Sequence, residues 1–452
     1  MDKIYKYFME RFQEASASQS FAERRIGSEL KFPMVNLDGT AASLETVRAL
    51  WNYLQSKGWQ PVEDKMTGQV VGAKKPGQQN DTVASCETGF CKAEFSLAHV
   101  ANLFDLQQQI DELRAELEPF CELNNVHFLC YGIQPVTPPS KKLMMKKGRT
   151  SPWTKVFGSN RHIDRKDGDD LHLFTINAAN HVHVSVCPEE AIDAVNVLNG
   201  FSGAQIALTA NSNIWRGQTD PHYKCVAEKF WDWWMPGSNR VGMPNSPFRD
   251  IKDYVHTIAN IKPVYVVRNG KPIILEGYKT FEEYYKLGRA VGRDTKGREV
   301  SFIPKESDID VHNSCYWYNA RISRYFTVEN RVNDQQPPDD LICISAVTLG
   351  LVSALSEAKE ELSSYQWEEL REAREVACRQ GLLGKIGEIP LAVVALRMWA
   401  TARRGLLRRG LGEEKFLKPL EKRLCEFSCP ADQAEDLFEN GGIDALLNTW
   451  RL

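Results

Sequence analysis

The stretch Leu173-Phe-Thr-Ile-Asn-Ala-Ala-Asn-His-Val-His-Val-Ser-Val-Cys187 alternates in chemistry from residue to residue. Side chains of an extended chain point alternately to two faces. Read as one strand, Phe174, Ile176, Ala178, Val182, Val184 and Val186 make a core face. Thr175, Asn177, Ala179, His181, His183 and Ser185 make the other. That second face is polar but uncharged. A solvated sheet face is generally rich in Lys, Glu and Arg, whereas His, Asn, Thr and Ser suit a wet cleft. Paired imidazoles in such a cleft bind a metal or a substrate.

Three further segments extend this logic. In Arg25-Ile-Gly-Ser-Glu-Leu-Lys-Phe32, alternation points Glu29 and Lys31 together, away from Leu30 and Phe32. In Arg321-Ile-Ser-Arg-Tyr-Phe-Thr-Val-Glu-Asn-Arg331, one face of a single strand holds Arg321, Ser323, Tyr325, Thr327, Glu329 and Arg331. Such a face is either a surface ion-pair ladder, worth little, or an anion-binding arginine set beside a metal-binding carboxylate. In Cys86-Glu-Thr-Gly-Phe-Cys-Lys-Ala-Glu-Phe-Ser96, Glu87 and Glu94 have opposite parity. One regular strand cannot aim both at one place; a turn or bulge at Thr88-Gly89 is required.

Together these polar faces offer Glu29, Glu87, Glu94, His183 and Glu329. Carboxylate oxygens suit Mg²⁺, and Mg²⁺ with arginines describes a nucleotide-phosphate site. The sequence contains no GxxxxGK[ST], GxGxxG or HExxH motif, so the phosphates would be held by metal and sheet side chains rather than by a glycine-rich loop.

The rest of the chain bounds the answer. Across 452 residues, 56 Lys+Arg nearly balance 59 Asp+Glu, and 42% of residues are hydrophobic. That composition excludes a disordered chain and a basic nucleic-acid binder. No apolar run approaches the roughly 18 residues of a membrane span; Leu341 to Leu355 reads as a buried helix. The N-terminus lacks the apolar core of a signal peptide. Eleven cysteines, an odd number, do not form a disulfide framework, and a reducing cytoplasm is expected. Cys86 and Cys91 are not a CxxC pair.

Helical spacing marks 43–58, with Ser43 as N-cap, and Leu106 to Leu117, ending near Pro119. Strands are expected near 24–34, 84–96, 172–187, 262–275 and 318–332, and loops near 134–152 and 234–248. The pattern from about 340 onward is helical. This suggests a sheet-and-helix core over residues 1–335 and a helical segment, 336–452, packed on it.

Five blocks, in order, resemble the plant and proteobacterial type of glutamate–cysteine ligase, within the carboxylate–amine ligases. They are Ile26-Gly-Ser-Glu-Leu-Lys-Phe32, Glu87 to Ser96, Met145-Lys-Lys-Gly-Arg-Thr150, His181-Val-His-Val-Ser185 with Ala210-Asn-Ser212, and Arg321 through Asp334. The resemblance implies an α+β fold like that of glutamine synthetase: a curved, mainly antiparallel sheet with its site on the concave face. It implies ATP and Mg²⁺, with the metal on Glu29, Glu87, Glu94, His183 and Glu329. Arg331 would meet the transferred phosphoryl group and Arg321 a second anion. Arg149, His181 and Asn211 would face the amino-acid substrates, and Lys31 and Lys147 the nucleotide. The expected partners are small molecules, glutamate and cysteine or another amine, with no nucleic acid or membrane, in a monomer or homodimer.

Departures from the family pattern accompany these matches. Lys31 stands where the family often has a second glutamate; either a metal ligand is missing or a lysine neutralises phosphate instead. His181 replaces a glutamine and Ser185 an aspartate. Ala227 falls where the family has a substrate arginine, so the acceptor is open. A different amine, or a nucleotide- or amino-acid-binding relative without turnover, are the alternatives. A phosphotransferase acting on guanidino compounds shares the sheet type. Trp231, Trp233 and Trp234 read as packing aromatics or, alternatively, as an adenine or substrate wall, and Arg403, Arg404, Arg408 and Arg409 as a solvated helix face or, alternatively, a basic surface for a partner or nucleic acid.

Overall fold

The alternation around Glu29 becomes the central strand of the molecule. The computed structural model describes residues 1–16, 24–77 and 80–452. Among them an antiparallel sheet comprises β1 (Ile26–Asn36), β2 (Gln60–Glu63), β3 (Val70–Lys75), β4 (Thr82–Cys86), β5 (Lys92–Ser96), β6 (Val126–Phe128), β7 (Asn180–Ser185), β8 (Ala320–Ile322) and β9 (Thr327–Asn330). The order is β8-β9-β7-β1-β5-β4-β3-β2, with β6 on the far end of β1. Leu30, Phe32, Val182, Val184 and Val328 are buried on one face, leaving the other for charged and imidazole groups.

Helices cover the apolar face. Helix α1 (Asp2–Ser16) buries Ile4, Phe8 and Phe12, and the two phenylalanines pack on Phe326 at the β8–β9 turn. Helix α2 (Leu44–Ser56) starts as expected, the Ser43 side chain accepting from the Thr46 N–H. Helix α3 (Leu103–Asn124) runs through Pro119 rather than ending there, and stops at Asn125 in the left-handed region. Proline costs a helix interior about 3 kcal/mol; the apolar stripe continues through buried Leu117 and Phe120 and offsets it. Helix α4 (Pro188–Gly200), helix α5 (Ser202–Thr209) and, much later, α6 (Cys343–Val352) complete the backing layer. Every residue of α6 is buried, as its apolar composition demands. Buried amides on this side reach across the layers: Asn180 Nδ2 donates to the Leu341 carbonyl, and Asn330 Nδ2 to Gln205 and Thr348.

Four segments expected as single strands turn out differently. Residues 84–96 form the β4–β5 hairpin, with Ser85 opposite Glu94. Residues 318–332 form the β8–β9 hairpin, reversing at Phe326 with φ 58°. The long strand read from Leu173 begins only at Asn180. Its first part is a 3-10 helix, Asp170–Thr175, capped by the Asp169 side chain on the Leu171 N–H. A side-chain cap competes locally with extended structure. Residues 262–275 are also a hairpin, Tyr265–Arg268 with Lys271–Ile274, in a separate four-stranded sheet.

Helix α7 (Leu391–Arg409) shares an apolar core with the sheet, while the last helix, Pro430–Trp450, packs Leu446, Leu447 and Trp450 into a second cluster that includes Val35 of β1. Arg423 donates to the Leu208 carbonyl, Gln336 and Asp340, and the Trp450 carbonyl accepts from Cys130 N–H. Arg409, expected on a solvated face, is instead tied to buried Glu413, which also accepts from the Leu103 N–H of α3. Among the described residues no helix is long and apolar enough to cross a membrane.

Candidate active site

The polar face of the sheet opens into a cavity of about 240 Å³. Strand register decides which groups meet in it. Across β1 and β7, Glu29 lies opposite His181; across β7 and β9, His183 lies opposite Glu329; across the β8–β9 hairpin, Glu329 lies opposite Arg321. The other edge of β1 sets Lys31 opposite Glu94 on β5. Glu87 enters from the β4–β5 turn, which answers the parity conflict: the chain reverses between the two glutamates. That turn lies so close to Thr175 that a Cβ at Gly89 would sit 2.0 Å from its carbonyl oxygen.

One subset fits a divalent cation. Glu29, His183 and Glu329 each offer a ligand atom, all within 4.8 Å of one another. His183 Nε2 lies 3.2 Å from Glu29 Oε1, while its Nδ1 is held 2.9 Å from Thr327 Oγ1. The Thr327 contact orients the ring so that Nε2 faces the carboxylates, as an outer partner does for a ligating histidine. Two carboxylates and one imidazole suit a hard or borderline ion.

Glu87 and Glu94, expected in the same metal set, close instead around Lys31. Its ammonium lies 3.0 Å from Glu29 Oε2 and 3.6 Å from Glu87 Oε1, and is hydrogen-bonded to Glu94. Three carboxylates thus share one buried ammonium. Burial pushes the Glu94 carboxyl up, the charges on Glu29 and Glu87 add to this, and Lys31 only partly opposes it. Burial would also raise Glu29 and Glu87, but Lys31 holds both well below the carboxylate range.

Glu329 carries a guanidinium on each oxygen. Arg321 Nε is 2.8 Å from Oε2, and Arg331 binds Oε1. Burial alone would raise this carboxyl; the two arginines hold it far below its ordinary value. His181 hydrogen-bonds Glu29 at 3.3 Å. Burial, with Lys31 and Arg331 nearby, drives His181 down to about 3, so its imidazole is neutral at physiological pH.

Arg149 also lines the cavity, over the Trp153 ring, without a carboxylate ion pair among the described residues. Two expected site residues stand elsewhere. Asn211 is fully buried and spends its amide on the Cys130 and Gln335 carbonyls. Lys147 turns its ammonium onto the Cys86 carbonyl. Both support the walls: Asn211 lies beside Asp334, which accepts from its N–H at 2.7 Å.

Lys92, Trp153, Tyr265 and Trp317 line the cavity without being singled out by the sequence. Lys92 lines the cavity, donating to the Phe174 carbonyl and Asn177 Oδ1, and burial pushes its ammonium down to about 8. Alternation along β5 places Lys92 beside Glu94, so a signal for it is present. Trp153, Phe174, Tyr265 and Trp317 form a wall with Trp231 and Trp234 of the helix Val226–Trp234. Trp153, Tyr265 and Trp317 come from segments far apart in the chain, and no local pattern announces them, whereas Trp231 and Trp234 belong to an aromatic cluster visible in the sequence. Trp231 and Trp234 therefore face the cavity, while Trp233 stacks on His162. Ala227 lines the same wall.

Comparison with known proteins bears on this arrangement. The model of a family described as glutamate-cysteine ligase family 2 matches residues 51–449. Among solved structures, the chain is similar to a glutamate–cysteine ligase from Francisella tularensis in complex with AMP, at 10% identity and TM-score 0.56, covering 94% of this chain and 87% of that one. It is also similar to a bifunctional glutathione synthetase from Pasteurella multocida, at 12% identity and TM-score 0.50, covering 94% of this chain and 50% of that one. Comparison with curated proteins finds no match. At such identities the structural likeness speaks for the fold. The family match extends over most of the sequence and includes four of the five blocks that surround the cavity. The chain belongs to glutamate-cysteine ligase family 2, a family of ligase enzymes.

Proposed function

We propose that this protein is an ATP-dependent ligase that joins the γ-carboxylate of glutamate to the amino group of cysteine through an acyl phosphate. The carrying observation is the convergence of Glu29, His183 and Glu329 with Arg321 and Arg331 on one cavity. A carboxylate oxygen is a poor leaving group. Transfer of the ATP γ-phosphoryl group to the donor carboxylate makes phosphate the leaving group, which the amine then displaces. Such transfer needs positioning and charge neutralisation above all.

Glu29, His183 and Glu329 would hold Mg²⁺, which when bound neutralises phosphate charge. Arg331, at the cavity, would stabilise the phosphoryl group in transit, and Arg321 would fix Glu329 and add a second positive charge. Arg149 would meet a substrate carboxylate and His181, neutral, would hydrogen-bond the substrate. The AMP in complex with the Francisella enzyme supports nucleotide binding by a chain of this fold. Residues 1–335 would carry the site and 336–452 brace it from behind. Eleven cysteines, free of disulfides, fit a reducing cytoplasm, where the product would feed glutathione biosynthesis.

A second reading keeps the chemistry and changes the amine. Ala227 and the aromatic wall, in place of a substrate arginine, favour it. The test is ADP release with Mg²⁺, glutamate and a panel of amines, with products weighed by mass spectrometry. Cysteine-dependent release with γ-glutamylcysteine supports the first reading. Release only with another amine supports the second. No release with any amine would reject both and leave a binding protein without turnover.

A further inference from the structure

Lys31 sits among three carboxylates, two of them, Glu87 and Glu94, expected to hold metal. It projects from β1 directly opposite Glu94 of β5, and the β4–β5 turn brings Glu87 in beside it. Its ammonium has Glu29 at 3.0 Å, Glu87 at 3.6 Å and Glu94 in hydrogen-bond contact, and the residue is 6% exposed. A cluster of buried carboxylates around an empty centre calls for a divalent ion. Here the centre is filled by a covalently attached positive charge. A metal ion entering between Glu87 and Glu94 would have to expel an ammonium from the carboxylates that stabilise it.

We propose that Lys31 replaces a divalent cation, so that the chain has one resident cation site, at Glu29, His183 and Glu329, and none at Glu87 and Glu94. The inference rests on the ligase reading for its account of the first site, but the second half stands on the Lys31 cage alone. Glu29 belongs to both groups: Oε1 faces His183 and Oε2 faces Lys31. It therefore links the exchangeable cation to the fixed one. The fixed ammonium is always present, does not compete with ambient Mg²⁺, and offers N–H donors rather than open coordination positions to a phosphate or acyl oxygen. Charge neutralisation at this end of the cavity is then independent of free metal concentration.

The experiment is Mn²⁺ binding to the full chain without nucleotide, counted by the loss of the free-ion paramagnetic resonance signal. Wild type, Lys31→Arg, Lys31→Met and Lys31→Glu are compared, with circular dichroism to check folding. The expected result is one Mn²⁺ for wild type and Lys31→Arg, and one more for Lys31→Met and Lys31→Glu. Melting of the last two should also become chelator-sensitive to a greater degree than wild type. Two ions bound to wild type, or no gain in the folded Met or Glu variants, overturns the proposal. No ion in wild type but a gain of one in the variants rejects the triad as a resident metal site and keeps Lys31 as the substitute. Lys31→Met is included because it removes the charge without adding a fourth carboxylate, so a failure of the Glu variant to fold does not end the test.

Discussion

Arg321 and Glu329 face each other across the β8–β9 hairpin with Nε 2.8 Å from Oε2, and Arg331 closes on the remaining oxygen. All three side chains are largely buried. Removing the shared carboxylate strands two guanidinium groups. Glu329→Ala should therefore cost about 3–5 kcal/mol of stability, the range for breaking a buried ion pair. A fall in denaturant midpoint at unchanged slope measures it; an unmoved midpoint would show that the arginines find other partners.

Arg331 is expected to matter for turnover more than for folding, because Arg321 still pairs Glu329 without it. For Arg331→Ala, ADP release should fall by ~10³-fold or more, as for other arginines at a phosphoryl transition state. Wild-type turnover in a folded variant would exclude it from the chemistry.

Asp334 makes stability depend on pH. It is buried under the cavity, accepting from Asn211 N–H and Ser212. Burial lifts its carboxyl from 3.8 to about 7, against the hydrogen bonds from Ser212 and Asn211, which favour the charged form. The folded value exceeds the unfolded one, so the folded state keeps a proton that the unfolded chain has lost. The contribution is fully present below 3.8, falls as pH rises toward about 7, and is flat above. One proton corresponds to a slope of about 1.4 kcal/mol per pH unit. Asp334→Asn, which mimics the protonated carboxyl, should remove that component of the slope. An identical pH profile for both proteins would contradict the assignment.

Gly89 has no room for a side chain. The clash of a Cβ with the Thr175 carbonyl is with backbone, so the β4–β5 turn must move. Gly89→Ala should lose about 1–3 kcal/mol, the scale of overpacking a filled site. Because Glu87 lies two residues away, affinity for Mg·ATP should fall as well, measured by calorimetry. Unchanged stability and affinity would mean the turn can shift freely.

Helix α1 braces the hairpin that carries Arg321 and Glu329. Phe8 and Phe12 lie 5.2 and 5.3 Å, centroid to centroid, from Phe326 at its tip. Phe12→Ala should cost about 3–5 kcal/mol, as for other buried phenylalanines. The faster amide exchange it causes should extend to residues 320–330; exchange confined to α1 would show that the brace is not needed.

Much of the active face is legible in the amino-acid sequence. Glu29, Lys31, His181, His183, Arg321 and Glu329 sit on the cavity side as alternation places them. This holds even where one strand proves to be two. Residues 318–332 are a hairpin, yet Arg321 and Glu329 still share a face because antiparallel partners point the same way. Asn211 and Lys147 are assigned by resemblance rather than by facing, and the fold spends both on backbone carbonyls. Lys92 is within reach of the same alternation, through the parity of Glu94. The wall formed by Trp153, Tyr265 and Trp317 beside Trp231 and Trp234 is not, since those three lie on unrelated local patterns.

Alternation is a local property of the backbone, so the chain alone determines that Glu29 and Lys31 emerge together from β1 and that Val182 and Val184 turn to the core. Which carboxylate meets which cation is not local. It follows from the register of β1 with β5 and β7, and from hairpins whose reversal points lie in the turns after Cys86 and Ile322. Those pairings join residues that can lie more than a hundred positions apart, as Glu29 and His181 do, and only the burial of the shared core selects among them. The folded sheet therefore assigns Glu87 and Glu94 to Lys31, and Glu29, His183 and Glu329 to one another.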